Sequence, residues 1–162
     1  MERERDREFI GGPQAGLFLT GFVKRRLFGH RIESLGEERI MTYLDLYNVG
    51  WIVARDDRTK RVLDRLRPRV IEVGTCDNVT MYRAERPLSY FLEGRGVVAR
   101  GEFNNLVLDG LEGNTIVLKY TFMDHLKSTP RARIEPIAPL DDMPPFIRIV
   151  DPPRTLRLYL EC

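Results

Sequence analysis

An α+β fold, with a small α/β layer packed on an antiparallel β-sandwich, is what the residue pattern of this chain predicts. Three observations carry that reading. Residues 43–54 run a helical pattern straight into an apolar strand that holds the only Trp, Trp51. After Pro87 the pattern changes to short alternating segments separated by turn residues, the mark of a sandwich. Seven of the ten prolines lie at or after position 130, where loops and strand edges accept them and helices do not. The chain therefore divides into an irregular Gly-rich segment at 1–35, an α/β layer at 36–86 and a β-sandwich at 87–162, with Trp51 in a shared core.

The elements follow in order. Residues 9–35 are Gly-rich, with an apolar patch at Leu17, Phe18, Leu19, Phe22 and Val23. A helix is expected from about Glu37 to Tyr47. Ser34 with Glu37 three positions on makes a capping box, and Ile40, Met41, Leu44 and Tyr47 recur at helical spacing. Val49–Ala54 then reads as a strand covered on both sides, because its apolar run is unbroken. Asp56 or Asp57 caps a second helix that Arg67-Pro68 ends. Val70–Val73 is a strand, and Cys76-Asp77-Asn78 turns the chain into Val79–Arg83. Beyond Pro87, strands are expected at Gly96–Arg100 and Asn104–Asp109. A Gly110–Asn114 turn leads to Thr115–Phe122, and further strands follow at Arg133–Ile137, Phe146–Val150 and Thr155–Glu161. Leu156, Leu158 and Leu160 alternate with Thr155, Arg157 and Tyr159, so one face of the last strand is apolar and the other polar. Pro136 suits an edge strand.

Composition removes several function classes. The chain has 162 residues and a formal net charge of +2, and its densest basic cluster, Lys24-Arg25-Arg26, is three residues long. A nucleic-acid partner is not expected, since it calls for a clustered positive face. No run approaches the ~18 apolar residues of a membrane span, and the charged string Glu2–Glu8 is unlike a signal peptide. Cys76 and Cys162 form neither a disulfide scaffold nor a CxxC metal motif, and in an oxidising compartment they could pair.

Candidate chemistry is sparse. Gly11–Gly16 lacks the Lys-Ser/Thr of a phosphate loop, and His30 and His125 are far apart in sequence. The paired carboxylates Asp56-Asp57 and Asp141-Asp142 read as a helix cap and a turn. No catalytic residue, metal or cofactor is therefore expected. The remaining candidate is a ligand-binding surface built from Asn104, Asn105, Tyr120, Phe122, Asp124 and His125. Amides, carboxylates and imidazole bond sugar hydroxyls, while aromatic rings stack on sugar C–H faces. Tyr120 and Phe122 share a face with Ile116 and Leu118, so core packing competes with that role for the two rings.

Several segments carry a family resemblance: Gly11-Gly12-Pro13, Leu27-Phe28-Gly29, Tyr43–Ala54, Met81-Tyr82-Arg83, Val117–Tyr120, and Phe146–Ile149 with Asp151-Pro152-Pro153. From about residue 9 to 161 the order of these segments resembles the soluble C-terminal domain of bacterial multipass membrane proteins of the GT-C glycosyltransferase-like kind, including YfhO-type proteins. The resemblance implies a polyprenyl-phosphate sugar donor and a catalytic carboxylate in a membrane part that is not in this sequence. It makes this chain a non-catalytic extracytoplasmic domain whose partner is a membrane-embedded glycosyltransferase-like segment or protein. There it would contact the acceptor glycan or cover the active site. A free-standing carbohydrate-binding or adhesion module and a small hydrolase stay open as alternatives.

Overall fold

The computed structural model describes residues 26–27, 30–102 and 104–160. The Gly-rich stretch and apolar patch before Arg26, and Cys162 with any pairing to Cys76, lie outside those residues. The fold is α+β, dominated by antiparallel sheet. The described residues divide between two compact units, 26–90 and 91–160.

The first unit opens with two short paired strands, β1 (Arg26–Leu27) and β2 (His30–Arg31), and a 3-10 turn, Ile32–Ser34. Helix α1 (Glu37–Leu46) follows, then β3 (Trp51–Ala54), α2 (Asp57–Arg65), β4 (Val70–Cys76) and β5 (Val79–Ala84). The expected capping box does not form. Ser34 lies in the 3-10 turn, its hydroxyl donating to the Arg31 carbonyl at 2.8 Å, and Gly36 takes the N-cap position of α1. Asp56 does cap α2, accepting the Thr59 N–H at 3.1 Å and the Thr59 hydroxyl at 2.6 Å.

The strands form an antiparallel sheet in the order β3-β5-β4. Ile52, Ala54, Val70 and Tyr82 join Ile40, Leu44, Val62 and Leu63 in one buried cluster. Each such Leu, Ile or Val stabilises the unit by roughly 1.5–3 kcal/mol. The other side of the sheet is less covered, with Val53 37%, Met81 42% and Val73 50% exposed. The expectation of a strand buried on both faces is thus corrected. β3 is an edge strand with one covered face, and Trp51 is half-buried and outside the buried cluster. A short apolar run does not by itself reveal how many faces are covered.

The chain from Ala84 to Tyr90 belongs to this unit. Arg86 lies against the turn after α1, donating to the Leu44 and Val49 carbonyls and pairing with Asp45. Asn48, with φ 55°, accepts the Ser89 N–H on its side-chain oxygen at 3.0 Å.

The second unit is one six-stranded antiparallel sheet: β6 (Phe91–Glu102), β7 (Asn105–Thr121), β8 (Leu126–Thr129), β9 (Arg133–Ile137), β10 (Phe146–Val150) and β11 (Leu156–Leu160). The Gly110–Asn114 segment, expected as a turn between two strands, lies inside the 17-residue β7. Gly110 (φ 60°) and Gly113 (φ 132°) bend the strand without reversing it. β6 pairs along one edge of β7. Along the other edge β11 and β10 succeed each other end to end, with Leu111 N–H to Arg154 O at 2.9 Å and Asp151 N–H to Asn114 O at 2.8 Å bridging the gap. β8 and β9 pair with β11 and β10 in the same succession. The sheet therefore consists of four long runs, each interrupted at one common level: Gly94–Gly96, Gly110–Gly113, 130–132 and 151–155.

Bulges and left-handed glycines at that level supply the curvature of a sandwich- or barrel-like sheet. On one side of it Leu106 and Leu108 stand opposite Leu158 and Leu156; on the other Ile116 and Leu118 stand opposite Ile149 and Ile147, and all eight are buried. Pro136 does sit in an edge strand, β9, facing Ile147. Strand β8, short and polar, has no counterpart in the sequence reading.

Candidate functional site

The alternation of β11 decides where the polar groups go. Leu156 and Leu158 are buried, so Arg157 and Tyr159 point away from the core. Register then places two outward rows across four strands. The first is Glu102, Asn105, Tyr159 and Lys127; the second is Arg100, Val107, Arg157 and Thr129. Neighbours within a row are about 5 Å apart and the rows about 7 Å apart, the span of a sugar ring or two.

Hydrogen bonds join these side chains into one array. Arg157 donates its Nε–H to Asn105 Oδ1 at 2.8 Å, and its guanidinium carbon stands 5.7 Å from the centre of the Tyr159 ring. Asn105 Nδ2 reaches Glu102 Oε2 at 3.4 Å, and Arg100 Nε donates to Glu102 Oε1 at 2.8 Å. The amide of Asn105 is thereby oriented from both ends, its oxygen toward a donor and its nitrogen toward an acceptor. Glu102 is held below the usual carboxylate range, chiefly by its hydrogen bonds from Arg100 and Asn105, with the charges of Arg100 and Arg157 adding to them. Arrays of this kind are exposed, so they contribute orientation more than stability.

The expected site residues distribute around this array as follows. Asn105 is inside it. Asn104, exposed with φ 61°, is in the turn just before it. Asp124 and His125 are exposed in the turn between β7 and β8, where Leu126 N–H returns to Met123 O at 3.3 Å. Because Leu126 pairs with Leu160 and Asn105 with Tyr159, both turns lie at the same end of the sheet, with β11 between them. That puts them roughly 10 Å apart. Tyr120 is 9% exposed among Ile116 and Leu118, and Phe122 is half-buried with its N–H bonded to Pro145 O at 2.7 Å. The structure thus brings Asn104, Asn105, Asp124 and His125 to one end and puts Tyr120 on the buried face, not on the outward rows. The aromatic group on those rows is Tyr159. It and Arg157 were visible in the sequence as the polar half of an alternation, but their link to Asn105, 52 positions away, needed the strand register.

Elsewhere, His30 stacks on Tyr43 at 5.8 Å. A shallow concavity at the start of α2 is lined by Arg55, Asp56, Asp57, Arg58, Arg61 and Asn78, whose acidic members include the helix's own cap. Among the described residues no group of three His, Cys, Asp or Glu side chains could hold a metal ion, and no helix is long and apolar enough to cross a membrane. No family model, curated protein or solved structure matches this chain. The resemblance to the membrane glycosyltransferase-like proteins rests on the residues quoted for it above.

Proposed function

We propose that this chain is a non-catalytic carbohydrate-contacting domain that works on the extracytoplasmic side of a bacterial membrane beside a membrane-embedded glycosyltransferase-like protein. The observation that supports the contact surface is the array Glu102–Asn105–Arg157–Tyr159, with an oriented amide, a guanidinium and an exposed-side ring on adjacent strands. Flat rings take sugar C–H faces, and fixed amide and guanidinium donors take hydroxyl oxygens. The turns carrying Asn104 and Asp124-His125 border one end of the array and add polar groups to it. The membrane partner and the location follow from the family resemblance.

Binding through a few exposed groups is weak, with a Kd in the ~0.1–1 mM range or about 4–5.5 kcal/mol. The test is a glycan titration followed by NMR on labelled full chain, with Asn105→Ala and Tyr159→Ala as controls. Shifts confined to β6, β7, β8 and β11 that vanish in both variants support the reading. Shifts that map to residues 26–90, or binding that survives both substitutions, sink it. The membrane partner is tested separately by reading the coding DNA on either side for an in-frame series of hydrophobic spans. Glycan binding without such spans favours the free-standing carbohydrate-binding module.

A further inference from the structure

We propose that the apolar segment Leu17–Val23 of this chain covers the outer face of the sheet β3-β5-β4. Alternation decides what that face carries. Ile52, Ala54, Thr80 and Tyr82 are buried on the helix side, so Trp51, Val53, Ile71, Val79 and Met81 point the other way. Val73 joins them at the bulge beside Gly74, which faces Met81. Val53, Val73 and Met81 are exposed, and Trp51, Ile71 and Val79 are half-buried. The charged side chain in these rows, Arg83, is paired with Glu85. A contiguous apolar face of this kind is a surface for binding.

Its size selects the occupant. The three strands are 4, 7 and 6 residues long. At about 5 Å between strands they offer on the order of 200–300 Å². A separate partner in a stable complex buries about 800 Å² on each side, so a second copy would be held poorly here. A tethered segment needs less area, because its effective concentration is in the millimolar range. Leu17–Val23 has the composition for it: five of its seven residues are Leu, Phe or Val, and residues 9–23 carry no charge. The chain enters this same unit at β1, where Leu27 is buried with the helices. From Leu17 to Arg26 it can reach about 30 Å when extended. The step from one packed layer to the next is only ~10 Å.

The test is methyl NMR on the full chain with a soluble gadolinium chelate. Nuclear Overhauser contacts should run from the Val53, Val73 and Met81 methyls to the rings of Phe18 and Phe22, and the chelate should relax the Met81 methyl only weakly. In Phe18→Ser/Phe22→Ser the contacts vanish and that relaxation rises several-fold. The Ile52 and Val62 methyls on the buried side keep their shifts in this variant and report that the unit is still folded. Met81→Asp should conversely move the amides of residues 17–23. Contacts seen only between differently labelled copies, and fading on dilution, assign the face to a second copy and overturn the proposal. Protection that appears only with phosphatidylglycerol vesicles assigns it to a bilayer and overturns it too. So does a Met81 methyl equally accessible in the full chain and in the double variant.

Discussion

The Arg86 guanidinium stands 2.8 Å from Asp45 with its own side chain only 10% exposed, while the carboxylate is 48% exposed. The same guanidinium donates to the Leu44 and Val49 carbonyls, adding a side-chain donor to the turn in which the Tyr47, Asn48 and Val49 N–H groups close the C-terminal end of α1. Burial pulls its pKa down and the Asp45 charge pushes it back up. The two partners are therefore unequal. Arg86→Met removes a buried donor from the Leu44 and Val49 carbonyls and should cost ~2–4 kcal/mol in urea unfolding. Asp45→Asn leaves those bonds in place and should cost about 1 kcal/mol. Equal losses would mean that the ion pair, and not the carbonyl bonds, dominates.

Tyr82 should ionise well above the ordinary tyrosine range. Its pKa is raised from 10.0 to about 12, first by burial and then by the nearby charges of Asp64 and Glu72; its hydroxyl lies 3.5 Å from Asp64 Oδ1. A folded-state value above the unfolded one means the group favours folding at every pH below 10.0, and that contribution is lost as pH rises through about 12. Ultraviolet titration should show a late phenolate step between those values. Tyr82→Phe should remove that step, and the alkaline loss of stability should become shallower. A Tyr82 that ionises near 10.0 would contradict this.

Two glycines in the bent sheet should differ sharply in their response to alanine. Both have left-handed backbones, Gly94 at φ 73° and Gly110 at φ 60°. A Cβ on Gly94 would run into Ile116 Cδ1 and stand 2.9 Å from the Thr115 carbonyl oxygen, whereas one on Gly110 meets nothing within 4 Å. Gly110→Ala pays only the conformational penalty, ~1–2 kcal/mol. Gly94→Ala adds a clash with backbone and should reach ~2–4 kcal/mol. Thermal melts of the two variants decide the order, and equal melting points would refute the crowding argument.

Asp109 accepts from the Thr155 hydroxyl at 2.6 Å and from the Gly110 N–H at 2.8 Å, joining the bend of β7 to the approach to β11. Those two bonds, Thr155 first, hold its carboxyl below the usual aspartate range. A depressed folded-state value gives a contribution present above the unfolded pKa and lost as the pH falls through the folded one. Carbon-detected NMR titration should find Asp109 the more acidic, and Thr155→Val should move its midpoint upward. An unchanged midpoint in that variant would exclude the hydroxyl as the cause.

How far such features can be read from residues depends on the distance over which they are decided. The Asp56 cap, the Asp77-Asn78 turn and the edge placement of Pro136 are settled within a few positions, and the sequence predicts them. Gly110–Asn114 contains the residues of a turn and of a bend alike. What keeps β7 extended through it is pairing with β6 on one edge and with the β10/β11 succession on the other, both remote in the chain. The candidate site divides the same way. Asn104, Asn105, Asp124 and His125 are recognisable as polar turn residues, while Arg157 and Tyr159 look like any outward pair until register sets them beside Asn105. Ser34 shows the reverse failure: a correct motif that goes unused because the 3-10 turn takes up its hydroxyl first.

The bond from the Ser89 N–H to Asn48 also fixes where this gene can be divided. Asn48 is 7% exposed, and its left-handed backbone at φ 55° is one of the few such positions outside glycine, so its amide oxygen is a buried acceptor with a specific donor. A piece stopped at Arg86, the boundary suggested by the change of pattern at Pro87, would discard that donor. It would also remove Leu88, whose side chain rests over Gly50. A piece stopped at Tyr90 retains both. The four residues between those stops, which look like a linker when read along the chain, are the closing clasp of the first unit, and any separate expression of the two halves should be cut after them.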